Sequence, residues 1–184
     1  METWDAITSR RNVRAFADRP LTDADRDRIL EAGRRAPSSR NWQPWDLVAV
    51  TERDELRELS RVWRGGGHIA ESAMTVVVVL PVFDDAAQRE RASFDVGQGC
   101  MQMMITAADL GIGSGHSAVG DQDLARKLLG FPEDRYATIM IDFGYPADRP
   151  LRPIRPTHWS GRTPRCSNRA RWPAPAQCGG RPNP

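Results

Sequence analysis

The longest apolar run of the chain, Met74 to Phe83, contains the β-branched stretch Thr75–Leu80, TVVVVL. A strand with one face in water alternates polar and apolar residues. A stretch that is apolar on both sides predicts a central strand covered above and below. The run is also too short to cross a bilayer as a helix. Two further segments read as strands, Asp46–Thr51 (DLVAVT) and Ala137–Phe143 (ATIMIDF), and Ile112–Ser117 reads as a short one.

Helical spacing supplies the covering layers. Thr3 to Arg11 predicts a short helix with Trp4 and Ile7 on one face. Thr22 is an N-cap for a helix to about Arg35, with Asp23 and Asp25 in its first turn and Ile29, Leu30 and Gly33 toward the core. Thr51 is placed to cap a helix to about Trp63, with Asp54 as in a capping box. Asp84 to Leu110 is the longest helical pattern, and Phe94, Met101, Met104, Ile105 and Ala108 are expected on or near its buried side. Gly97 and Gly99 lower helix propensity there, which predicts a close approach, with a partner helix as the reason. Asp121 to Leu129 is a helix closed by Gly130. The sum is a helix-rich α+β domain.

Charge divides the 184 residues unevenly. From Arg149 to Pro184 there are eight Arg, eight Pro and no acidic residue, which leaves eighteen basic against twenty-four acidic residues before it, a net of −6. Such a tail cannot bury enough apolar surface to order itself. The expected division is therefore a domain over 1–156 and a basic, Pro/Arg-rich, poorly ordered tail over 157–184. The abrupt loss of acidic and aliphatic residues matches what a reading-frame change near Pro156 would produce. Eight Arg could give salt-sensitive binding to nucleic acid, though nucleic acid is not the expected partner. The N-terminal segment has no apolar signal core, so a cytoplasmic protein is expected. Cys100, Cys166 and Cys178 make a poor disulfide framework, and Cys100 is expected to be a buried, inert thiol. The three His are far apart, and no metal site is expected.

Three constellations could carry chemistry. Ser9-Arg10-Arg11-Asn12-Val13-Arg14 sets three guanidinium groups beside small polar residues, suited to phosphate oxygens or simply to a solvated basic face. Ala36-Pro37-Ser38-Ser39-Arg40-Asn41-Trp42-Gln43-Pro44-Trp45 joins hydroxyls and an amide to two indoles, suited to a planar heteroaromatic ring. Gly111 to Gly120 contains G-x-G-x-x-A spacing, but a long helix precedes it where a dinucleotide fingerprint needs a strand. It does not match G-x-S-x-G. No acid/base or nucleophile triad is evident, as expected where a cofactor carries the reaction.

Taken in order, R-R-N-V-R-A-F, A-P-S-S-R-N-W-Q-P-W, A-A-D-L-G-I-G-S-G-H and the late F-G-Y-P resemble the nitroreductase family, over roughly residues 4 to 155. The resemblance implies an α+β fold with a mixed central sheet flanked by helices, and a homodimer with its flavin sites at the subunit interface. It implies FMN as cofactor, with NADPH or NADH as reductant and a nitroaromatic, quinone or similar small molecule as oxidant. Arg10, Arg11, Asn12 and Arg14 would hold the flavin phosphate and pyrimidine end, with Arg14 supporting the reduced ring. Pro37, Ser38, Ser39 and Asn41 would reach the flavin from the other subunit. Ser117, Ala118 and Val119 would line the ring near N5, and Arg152 and Arg155 are candidates to complete the phosphate site. Flavin N5 carries the chemistry, so no protein residue is assigned as catalytic. Three departures stand out: Asn12 replaces a common Ser, Gly65-Gly66-Gly67-His68 stands near where some members place Asn and Lys beside the pyrimidine, and Thr157 to Pro184 reads as Arg/Pro/Ser/Gly-rich sequence where members often finish with an ordered arm that wraps the partner. These departures leave a second reading, a flavin- or deazaflavin-binding protein with little turnover.

Overall fold

The computed structural model describes residues 2–147. Arg152, Arg155 and the tail 157–184 lie outside the described residues. The element order is α1 (Thr3–Ser9), α2 (Asp23–Arg34), β1 (Asp46–Val50), α3 (Arg53–Leu59), β2 (Met74–Pro81), α4 (Ala86–Asp109), β3 (Gly113–Ala118), α5 (Gln122–Leu129) and β4 (Arg135–Gly144). The four strands lie in the order β1-β2-β4-β3, and every pair of neighbours is antiparallel. The parallel contribution is an isolated bridge, Asn12 to Ser114.

The two-sided apolar stretch becomes the interior strand β2, and its alternation sorts two cores. Met74, Val76, Val78 and Leu80 face α2 and α4 together with Ile141 and Phe143. Val77 and Val79 face the opposite layer, where Leu56 and Leu59 of α3, Val62, Ile69 and Ala125 of α5 close over them. Burial of each such aliphatic side chain contributes roughly 1.5–3 kcal/mol. A bulge between Val78 and Val79 shifts the register against β4, so Ala137 and Met140, three apart, reach the same core.

Helix ends follow local chemistry. The Thr22 side chain accepts from the Asp25 N–H at 3.1 Å, as expected of the cap. Asp85 and Asp121 cap α4 and α5, and Gly130 ends α5 at φ 73°. The expected Thr51 cap does not form: α3 begins one residue later, with Glu52 as N-cap and no side-chain cap bond.

The face of α4 also differs from expectation. Its buried stripe is Ala92, Val96, Gly99, Cys100, Met103, Met104 and Ala107, so Met104 takes its expected place and Ile105 and Ala108 are half-buried, whereas Phe94 is 70% and Met101 43% exposed. The helix carries two apolar stripes, and the one rich in small residues sits closer to the sheet. At Gly99 the approach comes from the end of α2, whose Ala36 Cβ lies 3.4 Å from where a side chain would begin. Gly97 faces open space on the outward stripe.

Candidate functional site

The segment after α1 is built onto the sheet. The chain leaves helical geometry at Arg10, and the Val13 N–H donates to the Ser114 carbonyl at 2.9 Å. Gly113 and Gly115 make this approach possible. A Cβ on Gly113 would lie 2.7 Å from Val13 Cγ2, and one on Gly115 would lie 2.8 Å from the Val13 carbonyl and 2.6 Å from Asp142 Oδ2. Further along, Phe16 bridges Pro146, the Ala17 N–H donates to Tyr145 O at 2.8 Å, and the Ala147 N–H donates to Ala15 O at 2.9 Å. The first and last sequence constellations are thus one site. Arg10 Nη1 donates to Asn12 Oδ1 at 3.4 Å. Asn12 and Arg14 are exposed, and Arg10 and Arg11 half-buried.

Among the described residues, β3 has β4 on one side and, beyond Ser114, an open edge on the other. Paired residues in an antiparallel ladder alternate between bonding inward and facing outward. Ser114 turns its carbonyl outward to Val13, so His116 and Ala118 also present N–H and C=O on the open edge, while Gly115 and Ser117 bond toward Asp142 and Met140. Of the three residues expected to line a ring, Ala118 therefore has its main chain on this edge and Ser117 is turned into the ladder. Val119, after the strand, packs on the α3/α5 core. His116 was not among the expected residues, although period-two alternation from Ala118 reaches it.

Beneath this edge lies a buried polar cluster. Ser117 Oγ lies 3.1 Å from His68 Nε2, and the same nitrogen is 3.4 Å from Asp142 Oδ1. Asp142 is fully buried on β4, and neither of its oxygens has a hydrogen-bond partner among the described residues. This is not a hydrolytic triad, because one ring nitrogen faces both neighbours and the Ser117 hydroxyl is buried. The arrangement also explains the departure at Gly65–His68: the imidazole is turned under β3 rather than toward the open edge. Cys100 is inert as expected, with burial pushing its thiol up to about 11.

The Pro37–Gln43 loop is fixed elsewhere. The Ser39 N–H donates to Asp95 on α4 at 2.9 Å, and the Gln43 N–H to Ser38 Oγ at 3.1 Å. Arg40, Asn41 and Gln43 have φ of 55°, 56° and 47°. Left-handed geometry at non-glycine residues costs about 1–3 kcal/mol each and clusters at ligand sites. Trp42 packs on Phe83 with ring centroids 5.5 Å apart. Pro37, Ser39 and Asn41 are exposed and Ser38 is half-buried.

Among the described residues, no hydrogen bond or bridge joins the two groups of expected site residues. The loop is tied to Asp95, ten residues into α4, and the Arg10–Arg14 segment to Ser114 just beyond the end of that helix. Asp95 to Asp109 alone spans about 21 Å of helix axis at a rise of about 1.5 Å per residue. Among the described residues there is no group of His, Cys, Asp and Glu that could hold a metal, and no helix long and apolar enough to cross a membrane.

Comparison with known proteins identifies the family and the fold. The sequence profile of the Nitroreductase family matches residues 7–64 and 63–145. A protein of Archaeoglobus fulgidus assigned by name to the NADH dehydrogenase/NAD(P)H nitroreductases is 30% identical over 151 residues, covering 80% of this chain and 87% of that one. The FMN reductase [NAD(P)H] of Bacillus subtilis is 24% identical, covering 84% of this chain and 70% of its own. The solved structure of an FMN-dependent nitroreductase from Clostridium difficile shares the fold with a TM-score of 0.75 at 20% identity, covering 86% of this chain and 96% of that one.

Proposed function

The chain belongs to the nitroreductase family, and we propose that it is an FMN-dependent oxidoreductase passing electrons from NADPH or NADH to a nitroaromatic, quinone or similar oxidant. One observation carries the reading: the Arg10–Arg14 segment lies along the start of β3, beside outward main-chain groups at His116 and Ala118. Guanidinium groups suit a phosphate, and outward N–H groups suit the acceptor atoms of a flat ring, so the donor set fits FMN. When bound, FMN supplies the two-electron chemistry that no side chain here can perform.

The chain's own residues bind and orient. Arg10, Arg11 and Asn12 hold the phosphate and pyrimidine end. Arg14 is exposed and makes no hydrogen bond or ion pair among the described residues, so its guanidinium would be available to the negative charge of a reduced ring. Ala118 would offer its outward N–H to the ring, with Ser117 and Val119 fixing the strand on either side.

We infer that the working unit is a homodimer in which Pro37, Ser38, Ser39 and Asn41 come from the partner. The length of α4 between the two groups supports this. So does the outward apolar stripe of Phe94, Gly97 and Met101, with exposed Trp4 and Ile7 on α1, which packs against α4. The inward turn of His68 favours a second reading, flavin or deazaflavin binding with little turnover. The visible spectrum separates the two. A flavin band that bleaches with NADPH or NADH and returns with a quinone supports the enzyme; a bound band without turnover supports sequestration. Failure to bind added FMN overturns both.

A further inference from the structure

Several arginines on the outer helix surfaces are matched to carboxylates one turn away: Arg34 to Glu31 at 2.6 Å, Arg57 to Asp54 at 2.6 Å and Arg126 to Asp123 at 3.2 Å. Arg40 and Arg91 are not. Neither makes a hydrogen bond or ion pair among the described residues. Together with Ser39, Trp42 and Gln88 they line a cavity of about 480 Å³ between the Pro37–Gln43 loop and α4. Asp95 stands four residues after Arg91, where a helix-surface partner would be, but its carboxylate is buried and engaged by the Ser39 N–H and Gln98 Nε2. Arg40 is held left-handed at φ 55° in a loop anchored on both sides, so the point from which its side chain leaves the backbone is set before any ligand arrives. Trp42, packed on Phe83, gives the cavity a flat apolar wall.

We propose that Arg40 and Arg91 form an anion clamp that binds a phosphate or carboxylate carried by a redox partner, with Trp42 packing against the planar part of the same molecule. Two guanidinium forks match such an anion, and neither has a competing carboxylate to displace. The assignment of that anion to a redox partner rests on the proposed composite site, which sets this loop at the mouth of the neighbouring flavin. The anion comes either from the phosphates of the dinucleotide reductant or from an acidic substituent on the oxidant.

The test uses the full-length dimer loaded with FMN, with R40A, R91A and R40K variants. R57A serves as the control, since it removes a charge on α3, away from the cavity. Wild-type flavin content and turnover are measured first, so that failure of the enzyme reading is seen separately. KM is then determined for NADPH with a neutral quinone, and for a sulfonated against a neutral quinone. Isothermal titration with NADP⁺ and with inorganic pyrophosphate gives binding without turnover. Loss of a charge-assisted contact is expected to raise KM or Kd about tenfold in R40A and R91A, with partial recovery in R40K and no change in R57A. A rise confined to NADPH, NADP⁺ and pyrophosphate assigns the clamp to the reductant, and one confined to the sulfonated quinone assigns it to the oxidant. Unchanged values for every anionic ligand in both alanine variants, or an equal change in R57A, overturn the proposal.

Discussion

The contact between Val13 and β3 can be tested by giving Gly115 a side chain. A Cβ there lies 2.8 Å from the Val13 carbonyl and 2.6 Å from Asp142 Oδ2, where ordinary contact begins at 3.4 Å. The carboxylate can swing, but the carbonyl is main chain and must retreat by about 0.6 Å. Shared along the peptide, that movement takes the 2.9 Å bond from the Val13 N–H to Ser114 O to roughly 3.5 Å, the limit of a useful hydrogen bond. Overpacking costs about 1–3 kcal/mol and the weakened bond about 1 more, so Gly115→Ala is expected to cost roughly 2–4 kcal/mol. For a chain of this size that lowers Tm by roughly 5–15 °C. The same displacement moves Arg10 to Arg14, so FMN affinity falls along with stability. Thermal unfolding and FMN titration measure the two, and Gly67→Ala, with open space around its Cβ, is the matched control within about 0.5 kcal/mol. A G115A protein with unchanged Tm and unchanged FMN affinity would refute the packing argument and its link to the flavin site.

His68→Leu leaves the Asp142 carboxylate buried without its imidazole and is expected to cost about 3–5 kcal/mol in chemical denaturation. H68L/D142L should recover much of that loss, and a double mutant no better than H68L would show the pair is not coupled. Burial raises the Cys100 thiol from 9.0 to about 11, so the folded state favours the neutral form. The associated stability is intact below about pH 9 and lost as pH rises to about 11, by at most roughly 2–3 kcal/mol, and C100A should flatten that alkaline decline in an unfolding series. Phe94→Glu puts a charge on the outward stripe of α4, so sedimentation should show more monomer and FMN retention should fall; a dimer of unchanged affinity would move the interface elsewhere.

What could be read before the structure depended on how local the cause was. The β2 stretch, the Thr22 cap and the Gly130 stop depend on a few neighbouring residues, and each took its expected place. The inner face of α4 did not, because the helix has two apolar stripes and only contact with the sheet and α2 decides between them. Thr51 had capping chemistry, but the chain turned into α3 one residue later. The buried His68, Ser117 and Asp142 come from three separate segments, and no spacing along the chain links them. The Arg and Pro-Ser-Ser motifs were legible as types of residue, while their anchors, Ser114 beyond the end of α4 and Asp95 within it, were not.

The separate anchoring of these two motifs has a genetic consequence if each site is shared between chains. A chain defective at Arg14 and a chain defective at Ser39 carry their lesions in different halves. In a mixed dimer, both lesions fall in one site and the other is built wholly from intact parts. Two inactive alleles expressed together would restore activity that neither provides alone, whereas two alleles damaged in the same half would not.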